Sequence, residues 1–295
     1  KSRRRRKLMR RSMLFMPGNN AGMLLNADAL GADSVILDLE DAVSPSEKDS
    51  ARILVRNALK YLDYNNCEII IRINSIDTNY WKKDLDEIIP LKPHMIMPPK
   101  ISCAKDVQII ADYMKTVERR YSVEKEISII PLIETALGVE NAFEIAKSTD
   151  RVKAIFLGAE DLTADLRCKR TKKGDEIFYS RGRIVTAARA ASIDAYDTPF
   201  TDVEDEEGLR EDAEFAKGLG FTGKASISPR HVMTINEVFS PTVEEIEYAK
   251  EVMNIIRIAK EQGEGAISLH GKMIDAPIVE RARQTLEMAK ALGGV

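Results

Sequence analysis

Eight short runs, at 13–16, 35–39, 69–73, 95–97, 127–133, 154–157, 194–196 and 223–227, punctuate the first three-quarters of the chain. Most are rich in β-branched or long apolar side chains and are too short for a helix with a core face. Between them lie stretches with helical spacing of apolar residues, at 47–62, 104–117, 139–146, 177–191 and 206–219. Strands separated by helical segments pair in parallel, because a parallel crossover needs a dozen or more residues. Eight such units can close into a (β/α)8 TIM barrel, the fold class expected here. No internal sequence repeat accompanies the alternation.

After the eighth run the rhythm changes. Thr242 and Glu245 form a capping-box signature, and Ile246, Ala249, Met253 and Ile256 follow as an apolar stripe that stops before Gly263. A glycine-containing link, "GEGAISLHGKMIDAP", leads to a last helix from about Pro277, with Gly293 and Gly294 as its stop. The expected organisation is a basic arm at 1–10, a barrel at 11–236 and a C-terminal helical extension at 237–295, read as a cap or lid. A chain of 295 residues can bury a core of that size.

Several function classes are disfavoured. No apolar run approaches the roughly 18–20 residues of a membrane span, and the basic start is followed only by "MLFM", so no signal peptide is expected. Cys67, Cys103 and Cys168 are odd in number and form no CxxC pair, which argues against a disulfide framework and for a reducing cytoplasm. His94, His231 and His270 are not at zinc-ligand spacing. "GLGFTG" follows a helix and precedes a strand, the reverse of a dinucleotide site, and Ala225 stands where a P-loop needs Ser or Thr. Nothing resembles a Ser–His–Asp arrangement or a GxSxG elbow. Of the formal net charge of −3, eight positive charges fall within the first eleven residues, so the remainder carries −11. An acidic body without an aromatic-basic stripe is a poor binder of nucleic acid, and the basic arm reads as a solvated terminus. Neither nucleic acid nor membrane is expected as a partner.

Three of the strand-like runs end in acids. "SVILDLEDAV" supplies Asp38, Glu40 and Asp41, "ISIIPLIET" supplies Glu134, and "VKAIFLGAEDL" supplies Glu160 and Asp161. They follow strands two, five and six, whose carboxyl ends face one pocket in a barrel. Pro131 inside the fifth run and Pro98–Pro99 at the end of the fourth break local strand rules there. Converging carboxylates with few histidines suit a hard cation; magnesium takes one or two protein carboxylates and leaves its other positions to water and substrate. Glu134 and Asp161 fit that role, the alternative being solvated loop acids. Arg72 ends the apolar "EIIIRIN", where its planar fork suits a carboxylate or an enolate-like oxygen; the alternative is a structural ion pair. Lys100, after Pro98–Pro99, has a similar place and is read as structural.

"RRSMLFMPGNN", "DLEDAV", "RIN", "MPPK", "PLIET" and "LGAEDLTADL" together resemble the citrate lyase β-subunit family, from about Arg11 to the C-terminus. That family lies within the wider HpcH/HpaI-like superfamily of citryl-, malyl- and citramalyl-thioester lyases and barrel aldolases. "GDEIFYSRGRIVTAARAA", "DTPFTDVEDEEGL" and "GAISLHGKMIDAPIVERA" are similar to the citrate lyase branch in particular. The resemblance implies a (β/α)8 barrel that cleaves citryl-acyl-carrier-protein into oxaloacetate and acetyl-acyl-carrier-protein. It implies magnesium held by Glu134 and Asp161, substrate bound by Arg72 and Glu134, and Asp275 of "GKMID" delivered from a neighbouring subunit of a homo-oligomer. Acyl-carrier (γ) and transferase (α) subunits are the implied partners. Cleavage of the retro-Claisen type needs an acceptor for the substrate's hydroxyl proton, and Glu40 and Asp41 are both candidates. A free-standing citramalyl-CoA or malyl-CoA lyase is the alternative reading. The sequence departs from the pattern at Ser228 of "ISPR", where Asn or His is expected. The arm at 1–10 lies outside the match and inherits nothing.

Overall fold

A computed structural model describes residues 9–262 and 268–293. The chain divides into a large unit, Arg10–Phe239, and a smaller one to which residues 240–293 belong. All but the last two residues of the expected basic arm lie outside the described residues.

The large unit contains β1 (Ser12–Pro17), β2 (Ser34–Asp38), β3 (Glu68–Arg72), β4 (Met95–Met97), β5 in two pieces (Ser128–Ile129 and Leu132–Ile133), β6 (Ala154–Leu157), β7 (Asp194–Asp197) and β8 (Gly223–Ser226). Every pairing among them is parallel, with β1 between β2 and β8. The sheet starts at one piece of β5 and ends at the other, so a single interrupted strand pairs with β4 on one side and β6 on the other. That closes an eight-stranded (β/α)8 barrel. The sequence suggests one continuous strand over 127–133; the structure divides it at Ile130–Pro131. Pro131 has no N–H for the ladder, yet its carbonyl still accepts from Phe156 N–H at 3.0 Å, and Ile130 N–H donates to Ile96 O at 2.9 Å.

Side chains alternate across the barrel wall, as period-two strands require. Met13, Ile36, Ile70, Met97, Phe156 and Tyr196 belong to the cluster filling the lumen. Leu14, Val35, Leu37, Ile69 and Ile71 face outward into the larger core against the helices. At the amino ends of the strands the lumen is stoppered by Arg10, which pairs with Glu68 and reaches Asp194 at 3.9 Å. Gly223 is required there, since a Cβ would lie 2.0 Å from the Arg10 carbonyl oxygen. Outside the wall, Arg181 and Lys224 meet Asp197 and Asp212 at 2.6–2.9 Å, and Arg181, Lys224 and Asp197 are fully buried. A charge group so deep is tolerable only when balanced, and here two cations face two anions.

In the smaller unit, the helices Val243–Gln262 and Ala276–Leu292 pack around Ala249, Val252, Ile274 and Ala282. The Thr242–Glu245 capping box forms, with Glu245 N–H donating to Thr242 Oγ1 at 3.1 Å and Thr242 N–H to Glu245 Oε2 at 2.8 Å. The stretch read as a simple link instead holds a two-stranded hairpin, Ser268–Leu269 with Lys272–Met273. Its turn residues, His270 and Gly271, have φ of 51° and 77°, the paired positive values of a type I′ turn. No described helix is long and apolar enough to cross a membrane.

Candidate active site

The carboxyl ends of β2 to β6 assemble one charged pocket. Asp38 and Arg72 end their strands as register partners. Arg72 grips Asp38 with two parallel bonds, Nε to Oδ1 at 2.7 Å and Nη2 to Oδ2 at 2.5 Å. Such a fork fixes the guanidinium plane as well as its position. Its face lies 5.1 Å from the Phe15 ring centroid. Asp38 also accepts the N–H groups of Glu40 at 2.8 Å and Ala42 at 3.1 Å, so one buried carboxylate shapes the loop after β2. Lys48 pins the same loop by donating to the carbonyls of Leu39 and Glu40 at 2.9 and 2.6 Å.

Within that loop the two adjacent acids take different environments. Glu40 is buried, its carboxylate held between Arg72 Nη1 at 3.0 Å and Lys100 Nζ at 2.8 Å. Burial pushes its pKa up, against the opposing pull of Arg72 and Lys100. Asp41 lines the pocket with its side chain 51% exposed, 3.4 Å from Lys100 and 3.5 Å from Arg72. Burial of Asp41 is outweighed by its bond to Glu40 and by Arg72 and Lys100, so its pKa falls.

Lys100 is one of the few non-glycine residues with a left-handed backbone, at φ 55°. That conformation turns its N–H onto Glu134 Oε1 at 2.8 Å while its ammonium reaches back to the β2 loop. Glu134 is 4% exposed. Burial, then the nearby charges of Asp161 and Glu40, raise its pKa to about 8. Gly158, after β6, makes room for it, because a Cβ there would lie 2.7 Å from Glu134 Oε2. Asp161 sits in the first turn of the helix Ala159–Asp165, 3.6 Å from Lys100 Nζ. The resulting cavity of about 250 Å³ has Phe15, Leu132 and Phe156 as its apolar lining and Asp38, Asp41, Arg72, Glu134 and Asp161 among its charged groups.

A family model described as HpcH/HpaI aldolase/citrate lyase matches residues 11–229, nearly the whole barrel. The chain belongs to the HpcH/HpaI aldolase/citrate lyase family. A citrate lyase subunit beta from Leuconostoc mesenteroides subsp. cremoris is 42% identical over 284 residues, covering 96% of this chain and 94% of the relative. A mitochondrial citramalyl-CoA lyase from Homo sapiens is 29% identical, covering 96% and 86%. Among solved structures, a citrate lyase beta subunit from Mycobacterium tuberculosis, complexed with oxaloacetate and magnesium, matches with a TM-score of 0.68 and 31% identity over 80% of this chain and 99% of its own.

Within this family barrel, Glu40, Asp41, Arg72, Glu134 and Asp161 are gathered at one pocket, as the sequence suggests. Glu160 lines the same pocket but lies 3.6 Å from Arg170. Asp275 belongs to the other unit, where its side chain caps the last helix by accepting Ile278 N–H at 3.1 Å. Ser228 is buried, with its carbonyl accepting the Ser226 hydroxyl at 2.6 Å and its hydroxyl accepting Arg230 N–H at 3.3 Å. Lys100, expected from the sequence to be structural, lies in this site, as do Asp38 and Gly158, for which the sequence suggests no separate role. The proline pair before Lys100 is the one signal in the sequence that points to it; nothing in the sequence marks Gly158.

The donor set fits one divalent cation of the hard kind. The acids Asp38, Glu40, Asp41, Glu134 and Asp161 outnumber the nearby cations Arg72, Lys100 and Lys48, which leaves the cluster anionic even with Glu134 protonated. Among the described residues no three His, Cys, Asp or Glu side chains form a ready cage. Magnesium does not need one, since it keeps several waters and uses one or two carboxylates.

Proposed function

We propose that this chain is the β subunit of citrate lyase, cleaving a citryl thioester into oxaloacetate and an acetyl thioester. The observation that carries the reading is the 42% identity with a citrate lyase subunit beta along nearly the full length of both chains, together with the charged pocket at the strand ends. Glu134 and Asp161 are the residues that would hold magnesium. When bound, the metal supplies a Lewis acid that lowers the pKa of a substrate hydroxyl and offsets developing negative charge.

The remaining chemistry falls to the chain's own groups. The tertiary hydroxyl of the citryl group loses its proton, the adjacent carbon–carbon bond breaks, and its electron pair leaves as the acetyl thioester enolate. Asp41 is assigned as the proton acceptor, because it lines the pocket with its side chain half-exposed, whereas Glu40, near the same two cations, is buried. Arg72, locked by Asp38, orients a substrate carboxylate or meets the enolate oxygen, providing charge where charge develops. Asp275 of a neighbouring copy is assigned the return of a proton to the enolate carbon, on the family pattern alone. Acyl-carrier and transferase subunits, a homo-oligomeric β subunit and a cytoplasmic setting complete the proposal.

The test is oxaloacetate release, coupled to malate dehydrogenase, from citryl-carrier protein and citryl-CoA, each with magnesium and with EDTA. Magnesium-dependent oxaloacetate is expected. Pyruvate from citramalyl-CoA or glyoxylate from malyl-CoA, without oxaloacetate from either citryl substrate, would move the chain to the neighbouring lyase branch.

A further inference from the structure

We infer that Lys100 is a positioning residue that joins the proton-accepting loop to the cation-holding turns and lowers the affinity of those turns for a cation. The inference rests on the reading that Glu134 and Asp161 take a divalent cation. Three loops that are distant in sequence supply the acids: Glu40 and Asp41 after β2, Glu134 after β5, and Asp161 after β6. Lys100, after β4, touches all of them. Its ammonium lies 2.8 Å from Glu40, 3.4 Å from Asp41 and 3.6 Å from Asp161, and its backbone N–H lies 2.8 Å from Glu134.

The backbone explains how one residue serves four partners. At φ 55° the peptide N–H and the side chain leave Lys100 in directions that an extended residue could not combine. A left-handed conformation is unfavourable for a non-glycine residue. Lys100 is held in it by its four contacts. Its side chain is 36% exposed, long and unbranched, so it can withdraw from Asp161 without disturbing the wall behind it.

The arrangement has a consequence that a purely structural ion pair lacks. Until a divalent cation arrives, the ammonium partly neutralises Asp161 and the β2 loop. Once it arrives, two positive groups share the same carboxylates and repel. At a separation of about 6 Å, Coulomb repulsion screened even as strongly as in bulk water weakens cation binding about tenfold. Lys100 therefore weakens cation affinity while maintaining the placement of Asp41. Substrate carboxylates, which add negative charge, relieve that repulsion in the ternary complex.

The experiment compares the full chain with Lys100→Met, which keeps the stem and the N–H, and Lys100→Gly, which also adopts positive φ without strain. Magnesium dissociation constants are measured by calorimetry without substrate, and kcat and KM for a citryl thioester at saturating magnesium. Circular dichroism establishes that each variant is folded. Tighter magnesium binding by about tenfold in both variants, with kcat reduced 100-fold or more, is expected, and Lys100→Arg should recover part of kcat. Weaker or unchanged magnesium binding in the folded variants would overturn the inference, as would a kcat within threefold of the parent. If the parent cleaves none of the thioesters, the functional reading fails, yet the magnesium measurement still decides the role of Lys100.

Discussion

With Glu134 as the proposed ligand, magnesium binding should release a proton. Its pKa of about 8, set first by burial and then by Asp161 and Glu40, leaves the carboxyl about one-tenth ionised at pH 7. A cation that needs the carboxylate must displace that proton. The cost is about 1.4 kcal/mol at pH 7 and about 2.7 kcal/mol at pH 6, and it vanishes above pH 9. The apparent magnesium association constant should rise about tenfold per pH unit below pH 8 and level off above it. Calorimetry at pH 7 in two buffers of different ionisation enthalpy should show close to one proton released per magnesium. The stability of the metal-free fold runs the opposite way. Because the folded pKa is raised, the folded state binds more protons than the unfolded state between about pH 4.5 and 8, so this group's contribution falls as pH rises through that window. Magnesium should therefore raise the melting temperature more at pH 8.5 than at pH 6. Affinity that is flat from pH 6 to 9, with no proton release, would refute the assignment of Glu134 as a ligand.

Other consequences are as direct. Gly158→Ala places a Cβ 2.7 Å from Glu134 Oε2 and should lower magnesium affinity at least tenfold in calorimetry, while circular dichroism stays unchanged. Glu134→Gln and Asp161→Asn should each abolish magnesium-dependent oxaloacetate release, and activity equal to the parent's in EDTA would exclude the metal role. Lys224→Met leaves Asp197 and Asp212 with only Arg181, and should destabilise the fold by roughly 3–5 kcal/mol in urea denaturation. A loss below 1 kcal/mol would mean that the cluster is not balanced as described.

Much of the barrel can be read in the sequence because strand runs and crossover helices differ in period, and a parallel sheet allows few arrangements of eight strands with helical crossovers. The acids at the ends of β2, β5 and β6 are legible for the same reason. Other features depend on geometry that spacing does not encode. Glu40 and Asp41 are neighbours in sequence, yet a turn organised by Asp38 buries one and presents the other. Lys100 takes its role from one positive φ, and the need for Gly158 arises only once Glu134 is placed across from it. Pro131 can be seen in the sequence, but the division of β5 depends on which neighbour each half meets. The hairpin at Ser268–Met273 is too short for any periodicity to announce it. Only Gly271 in its turn signals it in the sequence.

The stopper at the amino ends of the strands makes the barrel a blind alley. With Arg10 paired to Glu68 behind a lumen filled by Met13, Ile70 and Tyr196, traffic through this unit uses the carboxyl mouth in both directions. A molecule cut in two inside such a space departs in order of depth, outermost piece first. Product-inhibition patterns thus become a depth gauge: the product that competes directly with the uncleaved substrate for free enzyme is the one that had lain deeper, beside Glu134.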